Sequence, residues 1–347
     1  MPPDTTPDPP SPRIVIVRLS AVGDVIHGLP VLNALRERFP GGLIAWVVEE
    51  RAAALLRGHR ALDELVVVPR GWLKSFGEIL RLRRRLHELR LEIAIDLQGL
   101  TKSAVAAWLS GARRRIGFGD EKGREISRWL NTEWVHCPAA HIIDANLQLL
   151  APLGINQPSV RFDIPENEAD RTAATAAIAA AGIAGDFGLI NPGAGWPSKL
   201  WPPARFAAVA QHLGAMHGVP TLVVWAGPKE RAWAEQIVTG AAGHAHLAPA
   251  TTLTELGAIA RRARIFVGSD TGPLHLAAAV GTPCVGLYGP MSATRNGPYG
   301  PQHVALQQGE FHGSHRQRRN AAGYLMEAIS VEMVCQACDA ILRRDRR

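Results

Sequence analysis

RIFVGSDTGPLHLAAAVGTPCVGLYGP, Arg264 to Pro290, is the stretch whose reading decides the fold. It predicts an apolar strand (Ile265 to Val267) and a tight turn on Asp270, Thr271 and Gly272. A short Ala-rich helix follows, stopped by Gly281, and then a second strand (Cys284 to Tyr288). A turn that opens a helix leaves the first backbone N–H groups pointing outward at the positive end of the dipole, which suits an anionic ligand. His275 lies one helical turn beyond Thr271 on the same face, aimed back at the turn. Asp270 has two readings at this point: a helix cap, or part of an anion-binding wall.

Working outward, strand-like and helix-like segments alternate from Arg13 onward, the signature of parallel sheets covered by helices. Strands are expected at Ile14 to Leu19, Leu43 to Glu49, Leu65 to Pro69 and Glu92 to Gln98. The alternation weakens over LGINQPSVRFDIPENE (Leu153 to Glu168), where proline and acid enter together, and a domain junction is placed there. A second series follows with strands at Phe187 to Gly193 and Thr221 to Gly227, and the Asp270 segment closes it. The expected fold class is α/β, with two Rossmann-like doubly wound domains over residues 13–165 and 166–325. Residues 1–12 are expected to be a disordered tail, and residues 326–347 a helix packing back on the N-terminal domain. Ligands of such sheets sit beyond the carboxyl ends of the strands, so two domains facing each other would share a central cleft.

The chain's 347 residues suit two domains, and 47% hydrophobic with 20% charged residues is a soluble globular composition. The Ala-rich run Thr172 to Gly185 falls short of the about 20 apolar residues that span a bilayer. The N-terminus MPPDTTPDPPSP carries acid and proline where a secretion signal carries base and an apolar run, so a cytoplasmic protein is expected. The net charge of +7 comes with no zinc finger, recognition helix or aromatic-interleaved basic stripe, so no nucleic acid partner is expected. RLRRRLHELR (Arg81 to Arg90) places leucines at helical spacing, leaving one basic face. That face is either simply solvated or attracts anionic lipid or an acidic substrate. Four cysteines fit a reducing compartment. Cys335-x-x-Cys338 lacks a second pair or a histidine at finger spacing and fits one face of a final helix; His244 and His246 lack a third ligand. No metal site and no cofactor are expected.

Two further turns carry candidate chemistry. RLSAVGDVIHGLP (Arg18 to Pro30) exits the first strand, with Gly23 giving the turn its freedom and Asp24 where the helix begins. Asp24 reads as a helix cap or as a general base, since a carboxylate at a strand end can approach a substrate hydroxyl directly. This is not a dinucleotide fingerprint: Gly-x-Gly-x-x-Gly is missing after strand one, and GFGDEKG (Gly117 to Gly123) misses the spacing. NPGAGWPSKLWPPARF (Asn191 to Phe206) offers close backbone approach at its glycines and, at Lys199, a point charge for a phosphate. Lys199 and the Asp270 turn would converge on one diphosphate. Glu230, after the WAG turn, is placed either to bind ribose hydroxyls or to stand exposed at a helix start. No Asp-x-Asp occurs, so helix termini and basic side chains rather than a metal would stabilise a leaving diphosphate.

SAVGDVIHGLP (Ser20 to Pro30), WVVEE (Trp46 to Glu50), DLQGLTKSA (Asp96 to Ala104), NPGAGWPSKLWP (Asn191 to Pro202) and SDTGPLHLAAAVGTPCVGLYGP (Ser269 to Pro290) run in order along the chain. Together they resemble glycosyltransferase family 9, the heptosyltransferases of lipopolysaccharide core assembly, and most closely its heptosyltransferase I branch. The resemblance implies a GT-B fold and inverting transfer of L-glycero-D-manno-heptose from ADP-heptose to a Kdo residue of lipid A, at the inner face of the cytoplasmic membrane. It implies that Asp24 is the base, that Lys199 binds the donor phosphates and Glu230 the ribose, and that Asp270, Thr271, Gly272 and His275 complete the donor site. The anionic acceptor would meet Gly23, Lys74, Lys102 and Arg115, with Arg113 and the Arg81 helix as further basic candidates. The alternatives are a GT-B protein with another nucleotide-sugar donor, a nucleotide-sugar epimerase, a non-catalytic nucleotide-sugar or lipid-binding module, and an NAD-dependent dehydrogenase.

Overall fold

The structure is a computed structural model and describes residues 11–119 and 127–344. It divides into two compact units, Met1–Pro165 and Glu166–Arg347. The tail expected before Arg13 falls mostly on residues 1–10, and the end of GFGDEKG on Asp120 to Gly123; both lie outside the described residues.

The first unit is a six-stranded parallel sheet of β1 (Arg13–Val17), β2 (Leu43–Glu49), β3 (Glu64–Val68), β4 (Ile93–Asp96), β5 (Arg114–Phe118) and β6 (Glu133–Val135). Its order is β3-β2-β1-β4-β5-β6. Ile14, Val15, Ile16 and Val17 are fully buried, as befits a central strand covered by helices on both faces. β1 pairs with β2 on one side and β4 on the other, so the chain reverses direction of travel across the sheet between β1 and β4.

The second unit repeats the plan with β7 (Gly188–Asn191), β8 (Thr221–Val223), β9 (Ala245–Leu247), β10 (Ile265–Ser269), β11 (Cys284–Tyr288) and β12 (Val304–Gln307). Its order β12-β11-β10-β7-β8-β9 is that of the first sheet read from the other edge. The reversal therefore falls between β7 and β10, which are directly paired. In both units the two strands flanking the reversal deliver the turns singled out in the sequence. A crevice outside the carboxyl ends of the strands opens at such a point, and doubly wound proteins bind ligands there.

Strands β5, β6 and β12 carry no strong sequence signal. β5 begins Arg114-Arg115 and β6 is Glu-Trp-Val, so neither shows the apolar run of a buried central strand.

The final helix, Val331–Arg344, belongs to the second unit and packs within it. Val334, Cys335, Ala337, Cys338, Ile341 and Leu342 are buried in one cluster with Val209, Ala210 and Leu213 of the Pro203–His217 helix and with sheet residues Val267, Val285 and Leu287. Its apolar stripe is thus spent inside the second unit. Trp201 Nε1 and Arg205 both donate to the Ile329 carbonyl, at 3.0 and 2.9 Å, fixing the chain just before that helix.

Candidate functional site

In the first unit, β1 runs into Ser20-Ala21 and the short helix Val22–Ile26. The helix cap is Ala21, and Asp24 stands at the third helical position with Oδ2 accepting the Ala21 N–H at 3.0 Å. Asp24 Oδ1 receives Arg18 at 2.7 Å. Arg18 is buried and donates also to the Leu97 carbonyl, while its own carbonyl accepts Trp46 Nε1–H at 3.1 Å. Asp24 is therefore held in one orientation from the protein side, yet its side chain stays 43% exposed and approachable from solvent. Gly23 is buried under this turn.

The turn after β4 completes the arrangement. Asp96 is fully buried and its Oδ1 accepts the N–H groups of Gln98 and Gly99 at 2.9 and 3.0 Å, a local carboxylate-to-backbone turn that needs Gly99 at φ +66°. Burial raises the Asp96 carboxyl above its usual range, against the hydrogen bonds and the nearby Arg18 charge. The turn points Gln98 Oε1 at the Leu19 N–H, 3.0 Å away, and carries Lys102 across. Lys102 Nζ donates to Ser20 Oγ at 2.8 Å and to Glu49 Oε1 at 2.6 Å. Lys102 thus ties β4's exit to the exits of β1 and β2.

The other two acceptor candidates differ from this pair. Lys74 stands exposed on the Trp72–Lys74 turn after β3, at the carboxyl end of the sheet. Arg115 is not brought to the site. It sits at the amino end of β5, the opposite end of the sheet from the carboxyl-end turns, with Nε on the Leu130 carbonyl at 2.6 Å and a second nitrogen on the Ala112 carbonyl at 2.7 Å. Its guanidinium is used to hold the loops on either side of β5.

In the second unit the turns after β7 and β10 meet. Lys199 Nζ lies 2.6 Å from Asp270 Oδ2 and 3.1 Å from the Asp270 carbonyl, and stacks 4.7 Å above the Trp196 ring. His275 Nε2 meets Asp270 Oδ1 at 3.0 Å. Asp270 is 7% exposed; burial alone would raise its carboxyl, but the His275 hydrogen bond and the Lys199 charge outweigh it and hold the group at about 2. Asp270 is not the helix cap. Thr271 occupies that position ahead of the Gly272–Ala279 helix, with extended backbone and no side-chain cap hydrogen bond. Its hydroxyl turns back to the Ser269 carbonyl at 3.1 Å and accepts from Asn191 Nδ2 at 3.4 Å.

Glu230 joins the same region. Its Oε2 accepts the Ala226 N–H at 2.8 Å, and its carboxyl lies so close over Gly193 that a Cβ there would sit 2.2 Å from Glu230 Cδ. Gly193 N–H in turn donates to Asn191 Oδ1 at 3.4 Å. Glu230, Gly193, Asn191 and Thr271 form one run across the exits of β8, β7 and β10. Asn191 was not picked out from the sequence, nor were Arg18, Glu49 and Trp196. Their only signal was position, each standing inside or beside one of the quoted turns at the end of a strand.

The sequence model of "Glycosyltransferase family 9 (heptosyltransferase)" matches residues 79–325, spanning every candidate-site residue described above in the second unit and, in the first, Lys102. The chain belongs to glycosyltransferase family 9. Among its family 9 relatives, lipopolysaccharide heptosyltransferase 1 of Pseudomonas aeruginosa is 30% identical over 303 residues, 85% of this chain and 83% of that protein. A solved family 9 glycosyltransferase from Veillonella parvula superposes with a TM-score of 0.82 at 25% identity, over 96% of this chain and 98% of that one. The E. coli heptosyltransferase WaaC with ADP, 24% identical, shares the fold with a TM-score of 0.76 over 95% of this chain and 99% of its own. The protein is accordingly a glycosyltransferase with the GT-B type of α/β fold. Family 9 membership removes the epimerase, the non-catalytic module and the dehydrogenase from consideration.

Proposed function

We propose that this family 9 glycosyltransferase moves L-glycero-D-manno-heptose from ADP-heptose to a Kdo residue of lipid A, with inversion, in lipopolysaccharide core assembly. The observation that carries the donor half is the Lys199–Asp270–His275 cluster at the uncapped amino end of the Gly272–Ala279 helix. A diphosphate leaving group gathers negative charge as the glycosidic bond breaks, and a lysine beside a helix amino terminus stabilises charge developing there. Asp270, an anion itself, serves by fixing Lys199 and His275 rather than by touching phosphate. Thr271 and Gly272 offer backbone at that terminus, and Glu230, positioned by Gly193, takes the ribose hydroxyls. No carboxylate pair for a metal is needed on this account.

Asp24 is the proposed base. Its orientation is fixed by Arg18 and the Ala21 amide, and its open side can take the proton of an acceptor hydroxyl as that oxygen attacks the anomeric carbon opposite the departing ADP. Gly23, buried, shapes the turn that carries Asp24, and Lys74 and Lys102 supply positive charge for an acceptor carrying carboxylate and phosphate. The Phe76–Glu88 helix adds a reason to place the reaction at an anionic membrane surface. Leu82 and Leu86 are buried, whereas Phe76 (75% exposed) and Leu80 face outward with Arg83, Arg84 and His87. Apolar and aromatic side chains beside arginines on one face suit a peripheral lipid contact. Among the described residues no helix is long and apolar enough to cross a membrane.

The test is incubation with ADP-heptose and Kdo-lipid A followed by mass measurement of the lipid. A gain of one heptose, lost by about 10²- to 10⁴-fold in Asp24→Asn while ADP-heptose affinity is retained, is expected. No mass gain, or full turnover by that variant, overturns the substrate assignment or the base assignment respectively.

A further inference from the structure

Cys335 and Cys338 lie, as their spacing suggests, on one face of the final helix. Both face the core of the second unit, and burial pushes both thiols up, Cys335 to about 11 and Cys338 further, so neither is poised as a thiolate. The residue that follows them points the other way. Asp339 turns out of the core toward the Pro203–His217 helix, where His212 and His217 converge on it. His212 Nε2 lies 2.8 Å and His217 Nε2 2.6 Å from the same oxygen, Asp339 Oδ1.

We propose that His212, His217 and Asp339 form a binding site for a divalent late first-row transition ion, with Zn²⁺ the probe of choice. The three donor atoms all lie within 4.8 Å of one another, and no other such cluster occurs among the described residues. Around an ion with bonds of about 2.0–2.1 Å, tetrahedral donors stand about 3.3 Å apart, so the two observed nitrogen-to-oxygen separations of 2.8 and 2.6 Å need to open by about 0.5 and 0.7 Å. Two imidazole nitrogens and one carboxylate oxygen are the donor set of open zinc sites, in which water takes the fourth position. That set also admits Co²⁺, Ni²⁺ and Cu²⁺ but does not suit Mg²⁺ or Ca²⁺, which take all-oxygen shells.

The surroundings allow entry and hold the geometry. The side chains are 25%, 15% and 21% exposed for His212, His217 and Asp339, so the site is recessed but open to solvent. Leu213 lies between the two histidines and Cys338 directly before the aspartate, and both are fully buried in the cluster that joins the two helices. Arg343 reaches only the outer oxygen, Oδ2, at 3.6 Å, and is itself 77% exposed, leaving Oδ1 to the histidines or to an ion. A bound ion would fasten the last helix of the chain to the helix that starts just beyond Lys199. The site is independent of the donor and acceptor assignments above.

The experiment is calorimetric titration of the chelator-stripped full chain with ZnCl₂, paired with the visible spectrum of the Co²⁺ form and thermal unfolding with and without Zn²⁺. One ion per chain, a tetrahedral Co²⁺ spectrum and a zinc-dependent rise in the unfolding midpoint are expected. Asp339→Asn and, as a second probe, His212→Gln should weaken Zn²⁺ at least tenfold and abolish the rise. Cys335→Ala should leave affinity and stoichiometry unchanged. No saturable binding would show that the three groups form a hydrogen-bonded cluster only, and binding that survives the Asp339 and His212 variants or vanishes with Cys335→Ala would also overturn the proposal.

Discussion

Asp270→Asn is the substitution that most directly tests the physical account of the donor side. The carboxylate is 7% exposed and bound at both oxygens, and its carboxyl is held at about 2 against an ordinary 3.8. At about 1.4 kcal/mol per pH unit this corresponds to about 2 kcal/mol of folding stability at neutral pH. Because the folded-state value is depressed, the contribution is present above the unfolded value near 3.8 and is lost as the pH falls toward about 2; by pH 3 about 1 kcal/mol remains. The amide keeps the shape but removes the charge, leaving Lys199, only 14% exposed, without its anionic partner. Urea unfolding of wild type and Asp270→Asn at pH 7, 4 and 3, followed by tryptophan fluorescence, should show a deficit of about 2 kcal/mol or slightly more at pH 7 that narrows steadily with acid. A variant as stable as wild type at pH 7, or a deficit that widens as pH falls, would refute the ion-pair account and with it the idea that Asp270 positions Lys199 and His275.

Two further outcomes are expected. Gly193→Ala would drive its Cβ to 2.2 Å from Glu230 Cδ, so the Glu230 carboxylate must leave its place; ADP affinity by calorimetry should fall about tenfold while the thermal midpoint moves little, and an unchanged affinity would detach Glu230 from nucleotide binding. Phe76→Ser combined with Leu80→Ser removes exposed apolar side chains without touching the buried Leu82 and Leu86. Co-sedimentation with vesicles containing anionic lipid should drop several-fold, with activity on a water-soluble acceptor fragment retained, and equal sedimentation would move the lipid contact elsewhere.

The turns themselves were legible in the chain because their chemistry is local. Gly-Asp after an apolar run, Asn-Pro-Gly, and Asp-Thr-Gly ahead of an Ala-rich stretch each mark a strand that ends and a helix that begins. The alternation of such segments was enough for a doubly wound plan in each half, and their order was enough for the family resemblance. The edge strands were harder, since β6 and β9 are three residues each and a strand at the rim needs no apolar run.

What the sequence could not decide is which of two local roles a side chain takes. Asp24 and Asp270 both stand where a helix cap is plausible. Only the fold shows that Thr271 occupies the cap ahead of one helix and that Asp24 hydrogen-bonds back from the third position of the other. The partners that settle the matter are distant in sequence: Lys199 is 71 residues from Asp270, and Lys102 is 82 from Ser20. Arg115 shows the converse, a basic residue beside a quoted motif that the sheet delivers to its amino end, away from the carboxyl-end turns. The Cys-x-x-Cys pair shows it again, because the 3.6-residue period turns both thiols into the core and the next residue, Asp339, out to two histidines more than 120 residues earlier. Local propensity, carried by neighbouring residues, fixed where strands end and helices start. Which charges meet beyond those ends depends on the parallel pairing of β1 with β4 and of β7 with β10, and that pairing exists only in the folded chain.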